Sequence, residues 1–236
     1  MIQTEPTANP WDDYADEYDR WLRDREPGQR VDGAFPARLL ELLGDPREQE
    51  GLDAGNGQGY LTRMLAARGA RVTGIDLSPR LIEKARVLGA DSPIEYRVAD
   101  LSQPLPELEG HFDLIASYLV LNDVRDYRGF AATLALVAKP GARIVLGFNN
   151  PYSSVVREHI ADYFAEGAMG AYIGMAKQGV PARYYHRTLE QYLDAFLDAG
   201  LRLVKLVDVP DEFGVHRTVL PESRFPRFMI LAFEKP

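Results

Sequence analysis

Gly51-Leu52-Asp53-Ala54-Gly55-Asn56-Gly57-Gln58-Gly59 is followed by one acidic residue, Asp76, at the end of the next apolar run, Arg71-Val72-Thr73-Gly74-Ile75-Asp76. Gly51 to Ala54 reads as a short buried strand, and the apolar residues of Tyr60-Leu61-Thr62-Arg63-Met64-Leu65-Ala66 recur at helical spacing. The glycines therefore form the loop between a strand and the helix it opens. Without a Cβ, glycine lets a loop take positive φ and lets a ligand lie against the main chain. The first amides of the helix then point at that ligand. An acid about 20 residues past such a loop in a βαβ unit accepts hydrogen bonds from the hydroxyls of a ribose. Together these features predict a ligand that contains a nucleoside.

The spacing narrows the ligand. A dinucleotide loop runs Gly-x-Gly-x-x-Gly, with the helix terminus facing a pyrophosphate. Here the glycines stand at Gly55, Gly57 and Gly59, preceded by Asp53, whose charge would repel a pyrophosphate and suit a cationic amino group. This pattern resembles the class I S-adenosylmethionine-dependent methyltransferases, whose first motif is (D/E)-x-G-x-G-x-G. Three more ordered segments carry the resemblance: Val98-Ala99-Asp100-Leu101, Phe112-Asp113-Leu114-Ile115-Ala116-Ser117 and Lys139-Pro140-Gly141-Ala142. The family's pattern implies that Asp76 holds the ribose and Asp100 the adenine amino group, with Leu77, Leu101 and Ser117 beside them. It implies that Asp53, Gly55, Asn56, Gly57 and Gly59 form the loop under S-adenosyl-L-methionine. Asn56 stands where Cys or a small residue is usual, and its amide either touches the cofactor or stabilises the turn. Leu121-Asn122-Asp123-Val124 lacks the His that many ubiquinone- and menaquinone-type methyltransferases carry there, which removes one familiar pocket base.

Strand and helix patterns alternate after the loop: strands at 51–54, 71–76, 94–98, 112–117 and 142–148, helices at 59–68, 79–88 and 127–138. The alternation predicts an α/β fold, a Rossmann-like doubly wound sheet that is mostly parallel. An irregular helical segment is expected from Tyr152 to Gln178, then a helix over 189–199 and strands at 201–208 and 226–233. The resemblance implies seven strands in the order 3-2-1-4-5-7-6 with the last antiparallel. Residues 1–236 are expected to form one domain, with an N-terminal helical lid over 1–44 and an acceptor-side insertion over 149–188. The lid is expected as an amphipathic helix over Trp11 to Arg25, ended by Gly28, and a second over Val31 to Leu43. Trp11, Tyr14, Tyr18, Trp21 and Leu22 share one face of the first. Tyr14 to Asp19 is similar to the Tyr-x-x-x-Tyr-Asp lid of small-molecule methyltransferases.

The insertion holds His159, Tyr163, Met169, Tyr172, Met175, Tyr184, Tyr185 and His186. Clustered tyrosines suit stacking on an aromatic or heterocyclic acceptor, and equally they cover a core. Tyr14, Tyr18, Asn122, Tyr152, Tyr184 and Tyr185 are the candidate acceptor contacts. His186 is the candidate base, because the segment running into the next helix faces the pocket in the family; Thr188 beside it also reads as a helix N-cap. His159 is a weaker candidate, and His111 and His216 carry no signal.

Composition sets outer bounds. The 236 residues, 46% hydrophobic, suffice for a sizeable core, and the chain contains no Cys, which removes disulfides, thiolate nucleophiles and Cys-ligated metals. Asp53, Asp123 and Asp126 stand singly, so no metal site is expected. A net charge of -8, from 27 basic and 35 acidic residues, argues against a nucleic-acid partner. No apolar run approaches ~18 residues and the first ten lack a signal pattern, so no membrane association and a cytoplasmic location are expected. The function expected is methyl transfer to O or N of a small-molecule acceptor, by a monomer or homodimer. A peptide or protein methyltransferase, a nucleotide-dependent oxidoreductase and a non-catalytic nucleoside-binding module remain as alternatives.

Overall fold

A computed structural model describes residues 10–23, 34–153, 156, 160–171, 183–210 and 226–236. Its centre is a seven-stranded sheet. The strands are β1 (Glu50–Ala54), β2 (Arg71–Asp76), β3 (Glu95–Val98), β4 (Phe112–Tyr118), β5 (Ala138–Asn149), β8 (Arg202–Pro210) and β9 (Pro226–Glu234). They lie in the order β3-β2-β1-β4-β5-β9-β8. Two further strands, β6 (Gly167–Ala171) and β7 (Arg183–His186), form a separate antiparallel ribbon. Counted within the main sheet alone, the order is the expected 3-2-1-4-5-7-6. The final strand, β9, runs antiparallel to both of its neighbours.

Helices cover both faces. On one side α6 (Tyr127–Val137) and α7 (Leu189–Asp198) bury Phe130, Leu134, Tyr192 and Phe196 against Phe112, Ile144, Phe148 and Phe233 of the sheet. On the other, α3 (Ala34–Leu43) and α4 (Tyr60–Ala66) bury Leu39, Leu43, Leu61 and Leu65 against Leu114, Val145 and Ile230. Each such side chain, fully withdrawn from water, contributes about 1.5–3 kcal/mol. Local signals fix where the helices begin. Ser78 caps α5 (Pro79–Leu88) by accepting from the Leu81 amide, and Asp126 caps α6 by accepting from the Gly129 amide. Thr188 and Gln191 form a reciprocal capping box on α7.

Three expectations are corrected. The N-terminal helix breaks at Tyr14 into α1 (Pro10–Asp13) and α2 (Ala15–Arg23). The Lys139–Ala142 segment does not lead into a strand that begins at 142, as expected, but bulges out within β5. Ala138 pairs with Phe112 and Arg143 with Leu114, so the intervening residues leave the ladder, and Gly141 turns at φ 79°. Lys139 ties this bulge to Asp113 through a 2.8 Å bond from Nζ. Finally, part of the segment expected as irregular helix, residues 167–171, is the strand β6, which pairs with β7 beyond that segment. Glycine at 167 and 170 costs a helix about 1 kcal/mol each. The facing Tyr184-Tyr185-His186 run suits a pleated strand. Gly28, His159, Tyr172, Met175, His216 and the side chains of Met169 and Trp21 lie outside the described residues.

Candidate active site

Strand order reverses at β1, which has β2 on one side and β4 on the other, and the crevice beyond the carboxyl ends of such strands is where open α/β sheets bind ligands. A cavity of about 530 Å³ opens there. It falls within the ~300–1,000 Å³ typical of small-ligand sites.

The glycine loop forms its floor. Gly55 and Gly57 border the cavity at φ 80° and 54°, and the Gly55 and Asn56 amides donate to the Ile75 carbonyl at 2.8 and 3.1 Å, so the loop is tied to β2. A Cβ on Gly57 would meet nothing nearer than the Tyr18 ring at 3.7 Å, which leaves open space over the main chain. Asp76 faces the same space. Its Oδ2 accepts from the Gly57 amide at 2.8 Å and its Oδ1 from the Ser78 amide at 2.9 Å. Burial still pushes its carboxyl above the ordinary range against those backbone donors. A carboxylate has about four lone-pair sites, so each oxygen retains one for a ligand. Asp100 also borders the cavity, its Oδ1 held by the Ser102 amide and hydroxyl at 2.9 and 2.7 Å. Between the two acids lie Leu77, half exposed, and the buried Leu101, an apolar strip suited to a flat base.

Aromatic rings close the other sides. Trp11 and Tyr18 meet edge to face with centroids 5.4 Å apart, and Tyr185 borders the cavity from β7. The N-terminal helices are held to the start of α5 by polar contacts. Asp12 Oδ1 accepts from the Ser78 hydroxyl at 2.8 Å and the Arg80 amide at 3.0 Å, while Asp16 pairs with Arg80 and Lys84, each at 2.6 Å. Exposed ion pairs contribute only about 0–1 kcal/mol each, so the roof is held by several weak bonds.

Of the residues singled out from the sequence, the structure brings Gly55, Gly57, Asp76, Leu77, Asp100, Leu101, Tyr18 and Tyr185 to this cavity. Tyr14 is not among its walls. Gly59, at φ 82°, faces backward, where a Cβ would come within 2.8 Å of the Tyr96 hydroxyl and 3.2 Å of Ala85, so it serves helix packing. The Asn56 amide donates to the Gly57 carbonyl at 2.8 Å, which is the turn role. Ser117 donates to the Ala54 carbonyl at 2.8 Å and joins β4 to β1. Tyr152 stacks on Tyr163 away from the cavity. Asn122 is a buried hub. Its Nδ2 donates to the hydroxyls of Tyr184 and Tyr192 at 3.2 and 3.0 Å, and its Oδ1 accepts from the Asn149 amide at 2.9 Å. Its carbonyl accepts from the Tyr185 amide at 2.7 Å, so Asn122 and Tyr184 act by placing Tyr185.

His186 is buried and does not border the cavity. Its Nε2 lies 2.8 Å from the Tyr163 carbonyl, an acceptor only, so that nitrogen carries the proton; Nδ1 is buried without a partner among the described residues. The geometry gives it a structural place in the ribbon rather than access to a substrate. Asp53 is also withdrawn, 1% exposed, with its Oδ2 accepting from the Thr62 hydroxyl at 2.6 Å. Burial pushes its carboxyl up to about 7, opposed by the Thr62 bond and reinforced by the Asp76 charge. Because the folded-state value lies above the unfolded one, near 3.9, the protonated acid favours the fold fully below about pH 4. That contribution, on the order of 4 kcal/mol, is lost as pH rises to about 7. Asp53→Asn, a mimic of the protonated acid, should flatten the decline in stability between pH 4 and 8. Urea unfolding across that range checks it, and an unchanged slope would mean that another group titrates.

Sequence reasoning missed Trp11 as a cavity wall, although its place on the Tyr18 face of the helix was a signal. It weighed Asp123 only as a metal ligand, whereas Asp123 borders the cavity beside Val124 and Arg125. It also gave no sign that Leu119, another wall, sits at φ 60°, a conformation uncommon outside glycine. Among the described residues no three His, Asp or Glu side chains are placed to hold a metal ion. No described helix is long and apolar enough to cross a membrane.

Residues 52–146 match the family model of a methyltransferase domain. The demethylmenaquinone methyltransferase of Tropheryma whipplei is 38% identical over 122 residues, covering 51% of this chain and 50% of that protein. The ubiquinone biosynthesis O-methyltransferase of Xanthomonas oryzae pv. oryzae is 32% identical over 147 residues, 59% of this chain and 60% of that protein. The chain thus spans about half to three fifths of the length of the curated relatives it matches. Among solved structures, an S-adenosylmethionine dependent methyltransferase from Mesorhizobium loti superposes with a TM-score of 0.67 at 26% identity, over 86% of this chain and 99% of that one. The methyltransferase in complex with the Trm112 activator of Haloferax volcanii reaches a TM-score of 0.72 at 19% identity, over 98% and 100%, which speaks to the fold alone. Strand order, glycine loop, acids at the ends of β2 and β3, and the matched domain together make this chain similar to the class I S-adenosylmethionine-dependent methyltransferases.

Proposed function

We propose that this protein binds S-adenosyl-L-methionine in the cavity at the ends of β1 to β4 and methylates O or N of a small aromatic or heterocyclic acceptor. One observation carries the reading: a single cavity joins the open main chain of Gly57, the doubly anchored Asp76, the apolar strip of Leu77 and Leu101, Asp100, and the rings of Trp11, Tyr18 and Tyr185. The residues present fit the donor. Asp76 has free lone pairs for a ribose diol, Asp100 can accept from an exocyclic amino group, and Leu77 and Leu101 provide surface for the base. The bound donor would supply a methyl group already activated on a sulfonium, so the chain's task is chiefly to orient the acceptor and exclude water. Trp11 and Tyr18 would exclude water as a lid formed by α1 and α2, within residues 1–44. The segment 149–188 would lie on the acceptor side through Tyr185, which gives an aromatic acceptor a face to stack on. The relatives named as a demethylmenaquinone methyltransferase and a ubiquinone biosynthesis O-methyltransferase support a small-molecule acceptor.

Calorimetric titration with S-adenosylmethionine, S-adenosylhomocysteine and NAD(H) tests the donor. The expected result is micromolar binding of the first two and none of the last. Incubation with a pooled metabolite extract should then yield products heavier by one methylene. Absence of binding by both sulfur nucleosides would overturn the proposal at its glycine loop.

A further inference from the structure

We infer that Asp123 is the general base of this site, taking the proton from the acceptor's nucleophilic hydroxyl; this rests on the methyl-transfer reading above. Asp123 follows β4 and borders the cavity in the stretch that also contributes Leu119, Val120 and Arg125. Its backbone is fixed, since its amide donates to the Val120 carbonyl at 2.7 Å. Among the described residues its carboxylate, by contrast, takes part in none of the side-chain bonds that anchor the neighbouring acids. Asp76 and Asp100 each accept from backbone amides, Asp126 caps α6, and Asp53 is held by Thr62. A half-buried carboxylate without such an anchor has no structural return for its desolvation, and the cavity is where its partner would be found.

Its electrostatic setting suits a proton acceptor. Burial alone drives its carboxyl well above the ordinary range, with no cation or donor opposing it. Among the described residues the charged groups sharing the cavity are Asp76, Asp100, Asp126 and Arg125. The phenols of Tyr18, Tyr118 and Tyr185 also border it, and the Asp123 charge reaches Tyr192 behind the wall. A partly desolvated carboxylate of raised basicity is the environment that makes an Asp effective near neutral pH. Tyr185, set by Asn122, would hold an aromatic ring alongside. In the step itself the hydroxyl oxygen forms its bond to the methyl carbon while the carbon–sulfur electron pair returns to sulfur. The hydroxyl proton passes to Asp123, which then releases it to solvent. This role is independent of His186, which the fold withdraws from the cavity.

The test uses Asp123→Asn and Asp123→Ala in the full chain, with ring-dihydroxylated benzoates as probe acceptors and S-adenosylmethionine as donor. Turnover should fall by about 100-fold or more in both, while donor affinity stays within about threefold of wild type. Stability gives a second readout that does not depend on turnover. A carboxyl whose folded-state pKa is raised favours the fold below the ordinary carboxylate range and loses that contribution as pH rises. Asp123→Asn should therefore melt no lower than wild type at pH 8 and lose the advantage toward pH 4, the trade-off expected of a functional buried acid. Turnover within about threefold of wild type in the variants, or destabilisation of both at every pH, would overturn the inference. Failure of wild-type protein to bind the donor is a different result, and it would sink the preceding reading instead.

Discussion

Asp76→Asn should weaken S-adenosylmethionine binding by roughly two to four orders of magnitude, the loss of about two charge-assisted hydrogen bonds at ~1.5–3 kcal/mol each. The substitution is nearly isosteric, so size is not the cause. Two backbone N–H groups, of Gly57 and Ser78, point at opposite oxygens of the carboxylate. An amide offers one oxygen, so its NH2 must face one of those N–H groups, and either the glycine loop or the start of α5 loses its anchor. The charge that would draw the ribose hydroxyls is lost at the same time. The sheet should survive, because burial already keeps the Asp76 carboxyl above its ordinary range and removing the charge returns part of that cost. Calorimetry reads the affinity, and circular dichroism with thermal melting reads the fold. Wild-type affinity in a folded variant would remove Asp76 from the donor site.

Gly55→Ala should both destabilise the fold by about 2–4 kcal/mol and abolish measurable donor binding. Gly55 sits at φ 80°, where a Cβ is strained whatever the space around it. There is also no space: the Cβ would fall 2.4 and 2.7 Å from the two methyl carbons of Val120. A β-branched side chain has few rotamers into which to retreat. Relief therefore has to come from moving the glycine loop or the segment after β4, and both border the cavity. Urea unfolding gives the stability and calorimetry the affinity. The contrast with Gly57 sharpens the test, since a Cβ there meets only the Tyr18 ring at 3.7 Å. Gly57→Ala should lose donor affinity with a smaller loss of stability. Equal stability losses at the two positions would show that backbone strain, and not the approach of Val120, dominates.

Which parts of the site were legible follows from the range of the interactions. Gly55, Gly57, Asp76 and Asp100 were readable because their roles are local: a loop needing positive φ, and acids at strand ends that each bind an amide two residues on. Asp53 and Gly59 belong to the same motif yet turn inward, toward Thr62 and Tyr96, and motif spacing does not say which side of the main chain a side chain takes. His186 was misread because its partner, the Tyr163 carbonyl, lies 23 residues earlier, in a segment without a clear period. Asn122 gains its role from Tyr184 and Tyr192, 62 and 70 residues away.

By itself the sequence determined the doubly wound architecture, the glycine loop and the two strand-end acids. Hydrophobic runs of strand length alternating with 3.6-residue periods admit few packings, and glycine and acid act through their nearest backbone. Only the tertiary structure decided that the segment around 167–186 pairs as a ribbon, that His186 is buried behind Tyr163, and that Asp123 faces the cavity. Those outcomes depend on which distant side chains fill the space around each group, and burial, the strongest influence on a carboxyl or an imidazole, exists only once the chain has closed around it.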